Sequence, residues 1–412
     1  MKRIVICCDG TWNRLDARKR TNVAKLSEAI LGTAIEADGR AVTQVVYYLD
    51  GVGAGRGTGG LARATDRLLG GAFGWGLDAL ITEAYRFLVL NYEPGDEIYL
   101  FGFSRGAYCA RSLCGLIRRA GIVERQHAGR IPEALALYRD ASPGAATVGE
   151  KARRFRARYS AHVSTLPSWA EPDEATWRAR AEPASNPEPL RLRLAYLGVW
   201  DTVGSLGVPK GLVGGALAAT GPMRHYRFHD AKLSPLLDAA RHAVAIDERR
   251  SDFEPTLWSL RDVEDEAGLD PANYPQEWFP GVHGAVGGGG ADERLSSAAL
   301  IWVLDGARAR GLKVDGGMSR RWGEIASYEG KLDAGQGRGG ITDWILRLRS
   351  RDRAAVGAFA DVSDIARRRW RNIARYRPAP LAGLSDALRG WTDPLAEPPT
   401  PEEGGDDTSP SR

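Results

Sequence analysis

A serine flanked by glycines is the first candidate for chemistry in this sequence. Gly102–Gly106 reads Gly-Phe-Ser-Arg-Gly, a G-x-S-x-G pattern with Ser104 at its centre. The pattern is weak alone, but the apolar run Glu97–Phe103 precedes it and a helical apolar stripe follows it until Gly121. Strand, sharp turn and helix together make a nucleophile elbow, in which small flanking residues let strand and helix nearly touch. We predict that Ser104 is a nucleophile; the alternative is that it only caps a helix.

A serine nucleophile needs a base, and the base needs an orienting carboxylate. In serine hydrolases built on a parallel sheet, the acid and then the histidine follow the serine along the chain. The apolar run Arg191–Trp200 leads directly into Asp201 and a loop of small residues, so Asp201 is the predicted acid. Asp247, after the run His242–Ile246, is its rival. A turn or capping role is the alternative for Asp201.

Of the six histidines, His283 is best placed to act as the base. It follows Asp201 in the chain and enters the glycine-rich stretch Gly284–Gly290, whose lack of side chains permits close approach to the serine. The other histidines precede the acid, flank a helix start or begin a strand: His127, His162, His225, His229 and His242. The alternative for His283 is a structural role in its loop.

Ester chemistry at a serine also needs backbone amides that hold the oxyanion. One is the amide of the residue after the nucleophile, Arg105. The second is expected at the end of the first strand, where Gly10 or Thr11 could present its N–H group. Asp9, just before them, holds either a loop or a cation. We predict no cofactor and no resident metal.

These residues require a scaffold that brings strand ends together. Short β-branched runs alternate with helical periods, which predicts a doubly wound α/β fold with a mainly parallel sheet covered on both faces. The predicted strands are Arg3–Cys8, Gln44–Leu49, Glu97–Phe103, Arg191–Trp200, His242–Ile246 and Trp278–Val282. Besides the helix after Ser104, the predicted helices are Phe73–Tyr92, Arg294–Arg310 and Ile341–Tyr376.

Composition narrows the class of protein. The chain has 412 residues, 43% of them hydrophobic, which is enough for a sizeable core and excludes general disorder. A net charge of +4 is too balanced for nucleic acid to be the main partner. The four cysteines lie in apolar runs, which predicts buried thiols in a reducing compartment. With no signal-peptide pattern and no apolar run long enough to span a membrane, we expect a soluble protein synthesised in the cytoplasm.

The predicted domain organisation is a catalytic domain over residues 1–310, a helical extension over 311–396 and a disordered tail over 397–412. Residues 120–190 interrupt the alternation and are predicted to form an inserted helical lid. The stretch Arg153–Tyr159, rich in Arg and aromatic residues, could rest on an anionic membrane surface. The alternative is an ordinary solvated helix face.

The chain resembles a bacterial α/β-hydrolase family, long catalogued as a domain of unknown function, that includes type VI secretion phospholipase effectors. The motifs that carry the resemblance are Cys8–Asn13, Gly102–Ala107, Gly198–Gly204, Ala245–Arg250 and Trp278–His283. The resemblance implies Ser104 as nucleophile, Asp201 as acid and His283 as base. One departure matters, since the family usually reads Ser-Asp-Val-Gly after the histidine, whereas this chain has Ala285 in the place of the aspartate.

The predicted function is hydrolysis of a carboxylic ester through an acyl-enzyme. The resemblance implies a lipid or phospholipid substrate, an immunity or secretion-system protein as a possible partner, and export by a contact-dependent route without a signal peptide. One alternative is a catalytically impaired interaction module, suggested by Ala285. Another is a dinucleotide site at Gly55–Gly60, a G-x-G-x-x-G pattern with Asp78 about twenty residues on.

Overall fold

The computed structural model describes seven stretches of the chain. They are residues 1–53, 70–140, 146–165, 190–204, 233–259, 270–333 and 350–395. The glycine-rich pattern Gly55–Gly60, much of the predicted lid and the predicted disordered tail lie outside them. In the described part of the chain, no helix is both long and apolar enough to cross a membrane.

A seven-stranded sheet forms the centre of the molecule, in the order β2-β3-β1-β4-β7-β8-β9. All neighbours in it are parallel except β2 and β3, which run antiparallel at one edge. Its strands are β1 (Arg3–Cys8), β2 (Thr33–Ile35), β3 (Ala41–Leu49), β4 (Glu97–Phe103), β7 (Arg193–Trp200), β8 (Ala240–Ala245) and β9 (Gln276–Phe279). Two short strands, β5 (Val163–Ser164) and β6 (Leu190–Arg191), pair separately. Each of the six predicted strands is present, with ends shifted by a few residues.

Helices cover both faces of the sheet. Alternate residues of β1 face opposite cores: Ile4 and Ile6 pack with one set of helices, Val5 and Cys7 with the other. The first face carries α2 (Gly70–Asn91), α3 (Arg105–Ala120), α4 (Ile131–Arg139) and α5 (Ala146–Tyr159). The second carries α1 (Asn22–Ala29), α6 (His283–Gly287), α7 (Arg294–Ala309) and α8 (Gly316–Ile325). The predicted α/β architecture with a mainly parallel, doubly covered sheet is confirmed.

Parallel pairing brings the strand ends that matter to one edge. Cys8, Gly102 and Leu49 lie side by side in the register of β1, β4 and β3. Phe103 pairs with Trp200, the last residue of β7. The residues that follow β1, β4, β7, β8 and β9 therefore emerge at the same carboxyl edge, with β4 in the middle of the sheet.

The free cysteines are buried in these layers. Cys7 and Cys8 belong to cores on opposite faces of the sheet, as their adjacency in a strand predicts. Burial raises the pKa of the Cys8 thiol to about 12. These side chains are inert packing groups in the folded protein.

The predicted helix Ile341–Tyr376 is wrong over most of its described length. Residues 350–358 contain no helix, because other segments of the same chain bind their backbone amides. The Arg351 amide donates to the Arg249 carbonyl at 2.8 Å, and the Val356 amide donates to the Pro380 carbonyl at 2.9 Å. Among the described residues of the predicted helix, α9 (Asp364–Asn372) is α-helical and begins where the Ser363 hydroxyl caps it, after a single 3-10 turn at Phe359–Asp361. A further short helix, α10 (Ser385–Gly390), follows. Together these elements form a third small core against β8 and β9.

Within the predicted lid region, α4 and α5 pack on α3. The Ser160 hydroxyl donates to the Ala120 carbonyl at 2.8 Å, which ties the end of α5 to the end of α3. The expectation that Arg153–Tyr159 rests on a membrane is not supported, because Phe155 and Tyr159 are buried in the protein core. Apolar side chains that are already buried in the protein core cannot also insert into a lipid surface.

Candidate active site

Ser104 occupies a strained turn between β4 and α3. Its backbone angles are φ 57° and ψ −121°, in the left-handed region that costs a non-glycine residue about 1–3 kcal/mol. An added Cβ at Gly106 would lie 2.1 Å from the Cys8 carbonyl oxygen, and one at Gly102 would lie 2.5 Å from the Gly106 carbonyl oxygen. Glycine is therefore required at both flanks because β1, β4 and α3 nearly touch. The Ser104 side chain does not cap α3, which argues against the capping alternative.

Asp201 and His283 form a buried pair at the same sheet edge. Asp201 follows β7 directly and has φ 40°, a second strained residue. Its Oδ2 lies 2.5 Å from His283 Nδ1. A carboxylate accepts from the ring, so Nδ1 carries the proton and Nε2 is left as the basic nitrogen. Burial lowers the pKa of His283 against the opposing effect of Asp201, so the imidazole is neutral at pH 7.

Two contacts bring Ser104 close to this pair. The Ser104 amide donates to the carbonyl of Trp200, the residue before Asp201, at 3.0 Å. The ring of Phe103, the residue before Ser104, lies 4.6 Å from the His283 ring, and the ring of Phe253 lies 4.7 Å from it. Among the described residues no hydrogen bond joins the Ser104 hydroxyl to the His283 ring, and such bonds are often long in unliganded sites.

The backbone of the histidine loop is held by the two acids after β8. The His283 amide donates to Glu248 Oε2 at 3.1 Å, and the Gly281 amide donates to Asp247 Oδ2 at 2.6 Å. Asp247 also accepts from the Tyr376 hydroxyl at 3.0 Å. The rival acid therefore fixes the loop that carries His283, whereas Asp201 contacts the ring itself.

His242 serves the backbone next to Asp201. Its Nε2 accepts from the Thr202 amide at 3.0 Å, and its Nδ1 lies 3.2 Å from Gln276 Oε1. Burial lowers the pKa of His242 to about 3, so it remains a neutral acceptor. The sequence prediction that His242 is not the base agrees with this arrangement.

Arg353 is the residue that sequence reasoning missed. Its guanidinium grips both oxygens of Asp201, with Nη1 2.6 Å from Oδ1 and Nη2 2.9 Å from Oδ2. The Ala245 amide also donates to Oδ1 at 3.0 Å. Burial alone would raise the pKa of Asp201, but the charge of Arg353 and the hydrogen bond from His283 outweigh it and hold that pKa well below its usual range. An arginine 152 positions away, in a chain rich in arginine, carries no sequence signal.

The two candidate amides after β1 differ in their engagement. The Gly10 amide donates to Asp9 Oδ1 at 2.6 Å, whereas the Thr11 amide has no hydrogen-bond partner among the described residues. The Thr11 hydroxyl is buried and likewise has no partner there. Asp9 also accepts from the Thr21 hydroxyl at 2.6 Å and the Tyr48 hydroxyl at 2.5 Å. Burial raises the pKa of Asp9 to about 6 despite these bonds. Asp9 holds the loop, the first of the two roles expected for it.

Ala285 lies in an apolar pocket beside the histidine. It is 1% exposed and packs with Leu295, and Leu332 and Ile365 pack against the same cluster. A carboxylate here would have no charged partner in that cluster. Apolar side chains therefore surround Ala285, where the family usually has an aspartate. Two of them, Leu332 and Ile365, come from the chain beyond residue 310.

A mainly parallel sheet whose carboxyl edge carries a strained serine, a buried aspartate and a histidine defines an α/β protein with candidate catalytic residues at its strand ends. Comparison with known families gives the narrower assignment. The chain belongs to the family described as the Tle1-like phospholipase effector catalytic domain of the type VI secretion system (T6SS), whose model matches residues 2–306. The resemblance seen in the sequence motifs is confirmed.

Individual relatives are more distant. The chain is 28% identical over 268 residues to the uncharacterized protein YEL023C of Saccharomyces cerevisiae, a match that covers 61% of this chain and 32% of that protein. An uncharacterized protein from Pseudomonas aeruginosa has a solved structure with a TM-score of 0.42 and 16% identity, covering 97% of this chain and 56% of that one. The Tle1 effector, solved bound to the VgrG spike, has a TM-score of 0.34 and 18% identity, covering 70% and 51%. The chain spans a third to just over half of the length of these relatives.

Proposed function

We propose that this chain is a serine hydrolase of the α/β-hydrolase type that cleaves carboxylic esters through an acyl-enzyme. Ser104 is the nucleophile, His283 the general base and Asp201 the acid that orients it. The observation that carries the proposal is the 2.5 Å contact between Asp201 and His283, set beside the strained turn that presents Ser104. Residues 1–310 would form the catalytic domain, with 120–190 as its inserted lid and 311–396 as an extension.

In the proposed first half-reaction, Ser104 Oγ attacks the ester carbonyl carbon while His283 Nε2 takes the hydroxyl proton. Asp201 keeps the ring in the correct tautomer and stabilises the imidazolium that forms. The tetrahedral intermediate then breaks its bond to the alcohol oxygen, which takes the proton from His283. The acyl group remains on Ser104.

In the second half-reaction, His283 takes a proton from a water molecule, whose oxygen attacks the acyl carbon. The bond to Ser104 Oγ breaks, the serine recovers its proton from His283, and the carboxylic acid leaves. The proposed reaction uses protein groups and water alone.

The oxyanion of each intermediate needs donors placed before the reaction begins. The Arg105 amide, in the first turn of α3, is one proposed donor, and the positive end of this 16-residue helix adds to it. Of the two candidates after β1, Thr11 is the stronger, because the Gly10 amide is already donated to Asp9.

The substrate class rests on family membership. The description of the family as phospholipase effectors favours a phospholipid ester as the substrate. It also favours delivery of the protein to its target by contact-dependent export. A spike protein of the secretion system and an immunity protein are the corresponding proposed partners.

Labelling with a fluorophosphonate probe, followed by peptide mapping, tests the assignment. We expect one labelled serine, Ser104, and no label in Ser104→Ala. Ser112→Ala is the matched control, since Ser112 is a buried serine two turns further along α3 whose hydroxyl has no hydrogen-bond partner among the described residues. A label on another serine would refute Ser104 as the nucleophile, and a folded wild type that takes no label would refute the hydrolase and favour the inactive module.

The lipid part of the proposal has its own test. Fatty acid release from vesicles of phosphatidylethanolamine and phosphatidylglycerol is compared with hydrolysis of a short-chain p-nitrophenyl ester by the same preparation. Release from vesicles that is lost in Ser104→Ala supports a phospholipase. Turnover of the soluble ester alone would keep the hydrolase and reject the lipid substrate.

A further inference from the structure

We propose that Arg353, which lies beyond the catalytic family domain, is a positioning residue for the Asp201–His283 pair. The inference rests on the proposed function, since it assigns Arg353 a role in that same site. Arg353 touches neither Ser104 nor the reacting atoms, so it would act only through the carboxylate of Asp201.

The guanidinium is held as firmly as the carboxylate that it holds. Besides its two bonds to Asp201, Nη1 donates to the Ala245 carbonyl at 2.6 Å and Nη2 to the Phe253 carbonyl at 2.7 Å. The side chains of Arg353 and Asp201 are 4% and 0% exposed. Four directed bonds fix the plane of the guanidinium, and a two-pronged contact passes that orientation to the carboxylate.

The orientation of the carboxylate matters because Asp201 Oδ2 contacts both Arg353 and His283. It accepts from Arg353 Nη2 at 2.9 Å and lies 2.5 Å from His283 Nδ1. A rotation of the carboxylate that broke the first contact would also move the acceptor on which the imidazole depends. A displacement of about 1 Å at such a site costs on the order of 100-fold in rate.

The charge of Arg353 also tunes the basicity of the pair. A cation against the carboxylate reduces the negative potential felt by the imidazole, so the pair takes up a proton at lower pH than it would without Arg353. Removing the cation therefore raises the pH at which the pair takes up a proton, by about one pH unit or more for a charge this close.

Other charged and titratable groups face the pair and stay in place when Arg353 is changed. Glu248 accepts from the His283 amide and pairs with Arg250, Arg111 faces His242, and Tyr376 and Arg369 face Asp247. A difference between wild type and an Arg353 variant thus reports on Arg353.

The position of Arg353 in the chain gives the inference its weight. The family model ends at residue 306, and Arg353 lies in the extended stretch 350–358, which runs beside the segment after β8. The family domain taken alone lacks this cation. The extension is then part of the working site rather than an appendage to it.

The test compares Arg353→Gln with Arg353→Lys in the full chain. We expect Arg353→Gln to lower kcat about 100-fold and to move the acid limb of the kcat/KM profile up by about one pH unit. Arg353→Lys keeps the charge but not the two-pronged grip, so kcat should fall while the acid limb stays near its wild-type position. Asp352→Asn is the matched control, because it removes the neighbouring exposed ion pair with Arg249 and should change neither quantity.

A readout independent of turnover separates this inference from the proposed function. In protein labelled with ¹⁵N-histidine, the His283 resonance, assigned by its loss in His283→Ala, gives the pH at which the ring protonates. Protonation at higher pH in Arg353→Gln than in wild type supports the inference even if wild type hydrolyses no ester. Protonation of His283 at the same pH in the two proteins overturns the inference, even if Ser104 is labelled as proposed. If Arg353→Gln lowers the melting temperature without changing that pH, Arg353 is a purely structural residue.

Discussion

Gly106→Ala is the substitution for which the elbow makes the most quantitative prediction. In a helix, alanine is favoured over glycine by up to about 1 kcal/mol, and Gly106 lies in the first turn of α3. Its φ is not in the positive region that would demand glycine. Helix propensity alone therefore predicts a small gain in stability.

The close approach of β1 reverses that sign. The new Cβ would lie 2.1 Å from the Cys8 carbonyl oxygen and 2.6 Å from that of Asp9, whereas ordinary contact begins near 3.4 Å. Both neighbours are backbone atoms, so α3 and β1 must move apart. Overpacking of this kind costs about 1–3 kcal/mol or more, which exceeds the gain from helix propensity.

The expected net loss is about 2 kcal/mol, a fall of roughly 2–3 °C in Tm, because an unfolding entropy of about 2.1 cal/mol/K per residue amounts to roughly 0.9 kcal/mol/K over 412 residues. The same movement carries the elbow away from the histidine, so the rate of fluorophosphonate labelling should fall by on the order of 100-fold. Scanning calorimetry and labelling kinetics measure the two effects on one preparation.

The matched control is Gly323→Ala, in α8, where nothing lies within 4 Å of the added Cβ. This variant should be as active as wild type and slightly more stable, by up to about 1 kcal/mol. If Gly106→Ala behaves like Gly323→Ala in both measurements, then β1 and α3 do not touch as described and the steric reasoning is wrong.

Three further predictions concern the site and its surroundings. Asp201→Asn should lower kcat by on the order of 10⁴ in a coupled esterase assay while His283→Ala removes nearly all turnover; undiminished turnover in either would reject the triad. Asp9→Asn tests the raised pKa of Asp9, which is about 6. The folded state binds this proton more tightly than the unfolded state, so the contribution of Asp9 to the free energy of unfolding falls as pH rises from about 4 to 6. Denaturant titrations of the variant at several pH values should lack that part of the pH dependence. Ala285→Asp should destabilise the protein by several kcal/mol in urea unfolding, because the pocket formed with Leu295 is apolar, and should not accelerate labelling; a faster and equally stable variant would contradict this.

Sequence reasoning succeeded where local pattern and physical cause coincide. The run Glu97–Phe103 and the glycines around Ser104 predicted a strand, a tight turn and a helix, and the structure has all three. The order of Asp201 and His283 in the chain indicated a pair that the structure brings to 2.5 Å. The first result depends on a few adjacent residues, and the second on parallel strands, whose carboxyl ends meet at one edge of the sheet.

It failed where distant contacts decide the outcome. The Ile341–Tyr376 segment contains helix-forming residues, yet residues 350–358 are not helical because other parts of the chain bind their backbone. Arg353 could not be distinguished from other arginines, since its partner is fixed only by the packed fold. The buried aromatic residues of α5 were misjudged for the same reason: an apolar residue in a helix does not reveal which neighbour covers it.

The contact between Asp201 and Arg353 also sets an order of events during synthesis. Once the ribosome has added Asp201, it must add another 152 residues before the arginine exists. At about 5–20 residues per second this takes roughly 8–30 seconds, during which the carboxylate has no cation with which to be buried. A nascent chain that stalls or is cut before residue 353 therefore carries Ser104, Asp201 and His283 without the group that holds two of them in place.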